Sequence, residues 1–577
     1  RRRMEECVDG DYQRYSVLPG DRQREHWVDG NAELEQMMNA LSDDEVKQIK
    51  RGGQDVAKIY AAYQKAITAN GKPTVILVKT VKGDGIIGAE GSNTVHSKKI
   101  LDGKQRLAIA RNFGIPLSDE AIINAEFYKP IEASEEIQYL KTRRESLGGQ
   151  IPIRQSKCAK LSPPPLSSFD SLIYPSSTRP QSSTMSLVRI LSILLRDKSL
   201  NKYIVPIVPD EARTFGLEAL FKIAGIFSLQ GQRYTPVDAD TLVAYREAED
   251  GQILQEGICE TGALASFLAA GTAYSIHGLP MIPFYFFYSM FGFQRVGDMI
   301  WTCGDSLCRG FLIGGTAGRT TLNGEGIQHQ DGHSQVVANT YPNLKSYDPA
   351  FGYELVVIVR EGIRRMYEEQ ENIFYYITAY NENYVMPSLP KTRSVPEGIL
   401  AGAYLFYSTE SEQKSQIHLL GSGSIMQQVL CAREKLEALG YGVSIWSVTS
   451  YNELYREAEQ CERDNRLHPF KKARAPFIKQ LFFKTSGVYV AVSDYMKALP
   501  NSISSWMPEN FTPLGTDGYG LSESRADLRD YFEISPDYIC HAALVALFRN
   551  ESIDNTTLKQ QLKNLDVDVD KVDPSSR

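Results

Sequence analysis

Cysteine is sparse and scattered: eight residues (Cys7, Cys158, Cys259, Cys303, Cys308, Cys431, Cys461 and Cys540) in 577, with no CxxC pair and no repeated short spacing. That pattern excludes a disulfide scaffold and suggests no zinc site. Long hydrophobic runs are lacking too. The most apolar stretch, Leu279 to Phe293, is broken by Pro280, Pro283 and Gly292 and falls short of the roughly twenty residues that span a bilayer. Neither sign of charge dominates, since 63 basic and 70 acidic side chains give a net charge of −7. No block of like charges stands out, which argues against nucleic acid or an anionic membrane as partner. There is no internal repeat and no initial methionine, and Arg1-Arg2-Arg3 leads into polar sequence without the apolar core of a secretory signal. The chain is therefore expected to be processed or a fragment.

What is present is an ordinary globular composition, 42% hydrophobic and 23% charged, able to bury cores and far from disorder. At roughly 100–200 residues per domain the length suggests about three to five domains. The expectation is a reducing, cytoplasmic enzyme acting on small molecules. A helical pattern over 43–65, a stop at Asn70-Gly71-Lys-Pro73 and an apolar run, Thr74 to Thr80, predict the helix-to-strand half of an α/β unit. A polar loop through His96 and a helix over 102–113 follow. Ser162-Pro-Pro-Pro-Leu-Ser-Ser168, continuing through Pro175 to Ser183, predicts a linker. Beyond it an apolar helix (185–195), a strand (203–208), a small-residue helix (262–275) and a buried strand (280–288) alternate, which predicts a mostly parallel sheet covered on both faces. A strand over 416–420, a helix over 425–439 and a strand over 442–448 predict a βαβ crossover.

Several short patterns carry candidate chemistry beside plainer readings. Gly83-Asp84-Gly85 matches the opening of a magnesium motif known in thiamine enzymes, yet the paired asparagines that should close it are replaced by a single Asn112, so a glycine turn fits better. Gly421-Ser-Gly-Ser424 is read as a strand-to-helix turn, since the third glycine and the acidic residue of a dinucleotide fingerprint are lacking. Cys303 and Cys308 are read as buried small residues. The segment from Gly314 to His333 holds six glycines, His329, His333, Glu325 and Asp331. Spacing leaves two readings open there: a metal site, or a loop bringing His329 and Glu325 to a substrate. Glu260, heading the small-residue helix, reads from composition as a charge matched to the helix dipole.

Taken together, Asp210-Glu-Ala-Arg-Thr-Phe-Gly216, Gly251-Gln-Ile-Leu-Gln-Glu-Gly257, Pro283-Phe-Tyr-Phe-Phe-Tyr-Ser-Met-Phe-Gly-Phe-Gln-Arg295, Thr320-Thr-Leu-Asn-Gly-Glu-Gly326 and Leu514-Gly-Thr-Asp-Gly-Tyr-Gly520 closely resemble the homodimeric, bacterial-type pyruvate dehydrogenase decarboxylating component. The resemblance runs from about Asp9 onward. It implies an α/β, three-domain, transketolase-like thiamine diphosphate-binding fold with mostly parallel sheets. The implied divisions are the later part of the diphosphate-binding domain over 1–160, a pyrimidine-binding domain over 161–390 and a transketolase C-terminal-like domain over 391–577. It implies pyruvate as substrate, transfer of the acetyl group to the lipoyl domain of dihydrolipoyl acetyltransferase, and a homodimer holding thiamine diphosphate and Mg2+ between subunits.

Position by position, the resemblance makes Glu260 the glutamate that hydrogen-bonds the cofactor's aminopyrimidine nitrogen. A shared proton there lets the neighbouring nitrogen remove the thiazolium proton, and a desolvated carboxylate suits the role. Phe291 stacks on the ring, Tyr288 lines its pocket, and Asp210 and Glu211 sit at the cofactor and substrate edge. His329 binds or polarises the substrate with Glu325 nearby, which displaces the metal reading. His96 matches the histidine of a mobile loop that assists transfer to lipoamide, and Lys82 a cofactor-side lysine. Gly83-Asp-Gly85 stands where the family more often has an aromatic between the glycines, and the loop after His96 is about two residues shorter. The family's magnesium ligands fall upstream of this sequence, so the first domain is expected to be incomplete. Two alternatives accompany this reading: a truncated, non-catalytic chain that retains dimer or complex contacts, and a dehydrogenase for another 2-oxo acid.

Overall fold

The computed structural model describes residues 2–49, 52–149, 155–176, 178–209, 212–392, 394–409, 416–483 and 485–576, which fall into two units, 1–151 and 152–577. Among the described residues of the first unit the regular elements are helices, and short polar side chains start several of them. Ser42 and Glu45 form a reciprocal capping box at Asp43–Gln48, while Asp55 and Asp102 cap Val56–Thr68 and Gly103–Asn112. The single helix expected over 43–65 is thus corrected to two, with a 3-10 turn at Gly52–Gln54 between them, because adjacent glycines favour leaving the helix. The strand expected at 74–80 is corrected as well: the segment has no regular structure, and Val75 and Leu77 are exposed. β-Branched residues form a strand only where a neighbour takes their backbone hydrogen bonds, and no described residue of this unit does so in a ladder.

The second unit begins its sheets with β1 (Ile204–Val208), a short parallel pair β2 (Ile226–Phe227) and β3 (Glu247–Ala248), then β4 (Leu254–Gln255), β5 (Ile282–Tyr288), β6 (Phe311–Gly315), β7 (Leu344–Tyr347) and β8 (Phe374–Thr378). The order β4-β1-β5-β6-β8-β7 is parallel at every pairing. Strands β1, β6 and β8 are buried at every position, as apolar runs without alternation require when helices cover both faces. The chain leaves β1 toward β4 on one side, whereas it leaves β5 toward β6 on the other. That reversal opens a crevice at the carboxyl ends of β1 and β5.

A second sheet contains β9 (Ala403–Ser408), β10 (Ile417–Gly421), β11 (Val443–Val448), β12 (Val488–Val492) and β13 (Phe511–Leu514), ordered β13-β12-β10-β11-β9. Only β9 runs antiparallel, on β11. The expected strand–helix–strand unit forms as β10, Met426–Ala438 and β11. The expected linker is not a free tether: Phe169, Leu172 and Ile173 are buried, and Ser183 Oγ accepts from the Tyr380 backbone N at 2.8 Å. Proline and serine there interrupt helix without preventing the apolar residues between them from packing.

Asp348 ties the two sheets together. Its backbone N donates to Thr449 O at 2.7 Å, its carbonyl accepts from Gly423 N at 3.1 Å, and its carboxylate accepts from Thr378 Oγ1 at 2.6 Å and from the Tyr380 hydroxyl. Burial pushes this carboxyl up to about 6, against the pull of the hydroxyls, and the charge of Asp494 adds to the rise. A carboxyl whose folded pKa is raised holds its proton better when folded. The stability it contributes is complete below about pH 4 and is lost as the pH climbs through about 6. Relative to Asp348→Asn, the parent chain should therefore lose about 2 kcal/mol of unfolding free energy between pH 4 and 7 in urea titrations. A flat difference would place the titration elsewhere.

Candidate active site

The crevice at the carboxyl ends of the first sheet gathers five of the residues singled out from sequence. Glu260 is the first residue of the Glu260–His277 helix, which follows β4, with Cys259 as its cap. Tyr288 closes β5, and Phe291 lies one turn into the next helix, Ser289–Asp305. Glu325 and His329 come from the glycine-rich loop after β6. The rings of Tyr288 and Phe291 are 5.6 Å apart, and the His329 imidazole lies 4.9 Å from Tyr288 and 5.1 Å from Phe291. Phe215 backs Tyr288 at 5.4 Å. His329 Nδ1 lies 3.0 Å from Glu325 Oε2, in ion-pair range but at an angle that makes no hydrogen bond, and this nitrogen is buried.

Glu260 has only 13% of its side chain exposed, and its Oε1 accepts from Arg295 Nη1 at 2.7 Å. The same guanidinium lies over Phe291, 3.9 Å from the ring centroid. The Tyr285 hydroxyl donates to the Glu260 carbonyl at 3.3 Å, tying the helix start to β5. The site thus offers an aromatic face and a carboxylate on one flat, cationic N–H donor. A protonatable aminopyrimidine has that chemistry, so the residues fit the pyrimidine end of thiamine diphosphate.

The glycine-rich loop is irregular, as its composition implies, and it is held from the second sheet. Asp494, just past β12, is fully buried; it accepts from Thr320 N and Oγ1 at 2.9 and 2.7 Å and from Thr321 N and Oγ1 at 3.1 and 2.6 Å. Burial raises its carboxyl, while the Thr320 and Thr321 hydroxyls, the charge of Arg529 and the Thr320 backbone N–H oppose the rise. Gly318, at φ 89°, passes so close that a Cβ would meet Asp494 Oδ2 at 2.1 Å, which leaves no room for another residue. Gln330 adds a second tie, donating to Leu322 O at 2.7 Å and accepting from Leu521 N at 2.8 Å. Asp331 spends Oδ1 on the backbone N of His333 and Ser334, and among the described residues no group of three or more His, Cys, Asp or Glu could hold a metal ion.

Asp210 and Glu211 lie outside the described residues. Lys82 and His96 belong to the first unit, where Lys82 Nζ meets His96 Nδ1. They share a cavity of about 370 Å³ with Asp9, Tyr12, Lys79 and Asn93. Sequence reasoning gave no role to Arg295 or Asp494. Arg295 stood inside a quoted motif with no sign of where it reached, and the only signal for Asp494 was its position directly after an apolar strand run.

Helices on both faces of a parallel sheet, a second mixed sheet and a site at strand carboxyl ends define a transketolase-like α/β protein. Two solved transketolases share this fold with the chain. One is that of Pichia stipitis in complex with sedoheptulose 7-phosphate (TM-score 0.59, 16% identity, covering 87% of this chain and 66% of that one), and the other is that of Campylobacter jejuni (0.56, 17%, covering 85% and 66%). Residues 166–387 match the family model of the pyruvate dehydrogenase E1 component middle domain, and 402–535 that of the transketolase-like C-terminal domain. The chain is 47% identical to the pyruvate dehydrogenase E1 component of Pseudomonas aeruginosa over 576 residues, covering 100% of this chain and 65% of that protein. It is 45% identical to that of Escherichia coli K12, covering 99% and 64%. The chain is thus a homologue of these pyruvate dehydrogenase E1 components and spans about 65% of their length.

Proposed function

We propose that this chain carries the pyrimidine-side catalytic residues of a cytoplasmic, homodimeric pyruvate dehydrogenase that uses thiamine diphosphate with Mg2+. It passes the acetyl group to the lipoyl domain of dihydrolipoyl acetyltransferase. The observation that carries this reading is the convergence of Glu260, Tyr288, Phe291 and His329 at one strand-end crevice, with Glu260 and Phe291 jointly holding a flat N–H cation. When bound, thiamine diphosphate supplies a nucleophilic carbon and an electron sink for losing CO2 from a 2-oxo acid.

The chain's own residues orient and protect that chemistry. Glu260 holds a proton at the aminopyrimidine nitrogen, Phe291 stacks on the ring, and Tyr288 lines the pocket; their apolar wall, with Phe215, excludes water. His329 binds or polarises the pyruvate carboxylate or carbonyl, with Glu325 beside it, Oε2 lying 3.0 Å from its Nδ1. Lys82 acts on the cofactor side, His96 assists acetyl transfer, and Asp210 and Glu211 take the substrate edge.

Calorimetric titration with thiamine diphosphate and Mg2+, followed by pyruvate-dependent reduction of ferricyanide, tests the proposal. Saturable binding and turnover are expected. A folded chain that binds no cofactor would overturn the reading in favour of a non-catalytic chain, and preference for a different 2-oxo acid would move the substrate.

A further inference from the structure

Arg295 occupies the place for which two residues of the proposed site are needed at once. Its guanidinium lies flat against Phe291, 3.9 Å from the ring centroid, and donates to Glu260 Oε1 at 2.7 Å. Those two contacts are the ones required by an aminopyrimidine that stacks on Phe291 and shares a proton with Glu260. Guanidinium and protonated aminopyrimidine are alike in the relevant respects: both are planar, delocalised cations with N–H donors in the plane. The side chain is also free to leave. It is 49% exposed, and the next residue, Val296, breaks the helix with φ −131° and ψ 23°, so Arg295 sits at the end of a helical turn beside a kink.

We propose that Arg295 is an internal counter-ligand of the pyrimidine site, one that covers Phe291 and neutralises Glu260 and must swing toward solvent before the heterocycle can bind. This deepens the cofactor reading above and rests on it. The cost to the incoming ring is that of breaking a part-exposed ion pair and a cation–π contact, which together should weaken binding about tenfold. Arginine is suited to the task because its fork engages a ring face and a carboxylate together, which the compact ammonium of lysine does not.

Thiamine, which presents the aminopyrimidine without the diphosphate, is the probe. Calorimetric titration of the full chain and of Arg295→Ala, with near-ultraviolet circular dichroism as the check on folding, should show about tenfold tighter binding to the variant. Arg295→Lys should also bind more tightly than the parent, which keeps the test decisive if the alanine variant misfolds. Methylguanidinium should compete with thiamine in Arg295→Ala by refilling the place the side chain held. If the parent binds thiamine and the variants bind it equally or more weakly, the counter-ligand role is overturned and the cofactor reading stands. If thiamine binds neither parent nor variants, while methylguanidinium still binds Arg295→Ala, the crevice accepts a flat cation but no pyrimidine. The cofactor reading then falls and the counter-ligand role with it.

Discussion

Glu260→Ala is expected to lower pyruvate turnover in the thiamine diphosphate-loaded enzyme at least about a hundredfold, the scale of positioned acid–base assistance. The expectation rests on where the carboxylate sits. It is the first residue of an 18-residue helix, nearly enclosed, with its main chain tied to Tyr285 and its Oε1 already serving a planar N–H donor. Among the described residues no second carboxylate accepts from that donor. The fold should be nearly indifferent to the change, because the lost ion pair has a half-exposed arginine as its partner and such pairs are worth about 1 kcal/mol or less. A large loss of turnover with an unshifted melting curve is therefore the predicted signature. Near-wild-type turnover would remove Glu260 from the chemistry, and a collapsed melting curve would make its role structural.

Asp494→Ala should act in the opposite manner, damaging the fold first and the site through it. Four donors from Thr320 and Thr321 converge on this one fully buried carboxylate. Removing it strands two backbone N–H groups and the Thr320 hydroxyl at a fully buried position, while Thr321 Oγ1 keeps Ser424 Oγ as its partner, a loss of about 3–5 kcal/mol. The loop that carries Glu325 and His329 is what comes loose. Hydrogen exchange of peptides spanning residues 316–330 should accelerate at least about tenfold, whereas peptides from β5 should keep their protection. Asp494→Asn keeps the shape and one acceptor, so an intermediate effect is expected. Unchanged exchange at residues 320 and 321 in Asp494→Ala would show that Gln330 and the packing around Gly318 hold the loop alone.

Much of the second unit was legible in the sequence. Apolar runs such as Ile204–Val208 and Ile282–Tyr288 do not alternate, and a run that is apolar on both sides has to be covered on both sides, which is why the parallel sheet could be expected. Glycine density announced an irregular loop after β6 because glycine gains little from regular structure. The failures have one cause between them. Residues 74–80 have strand-forming side chains and no ladder, and the proline-rich stretch before residue 183 has breakers and yet packs, because pairing and burial depend on what lies alongside in space. Lys82 and His96, fourteen positions apart, could be proposed for one site by resemblance; their direct contact had to be seen.

The sequence by itself determined the layered α/β character, the helix that begins at Glu260 and the aromatic strand that ends at Tyr288, because period, punctuation and apolar runs act over a few residues. Only the tertiary structure decided that Arg295, 35 residues from Glu260, would fill its carboxylate and cover Phe291, and that Asp494 would hold a loop more than 170 residues away. A charge's partner is set by which strand ends the fold brings to a common edge. No local pattern along the chain encodes that distance.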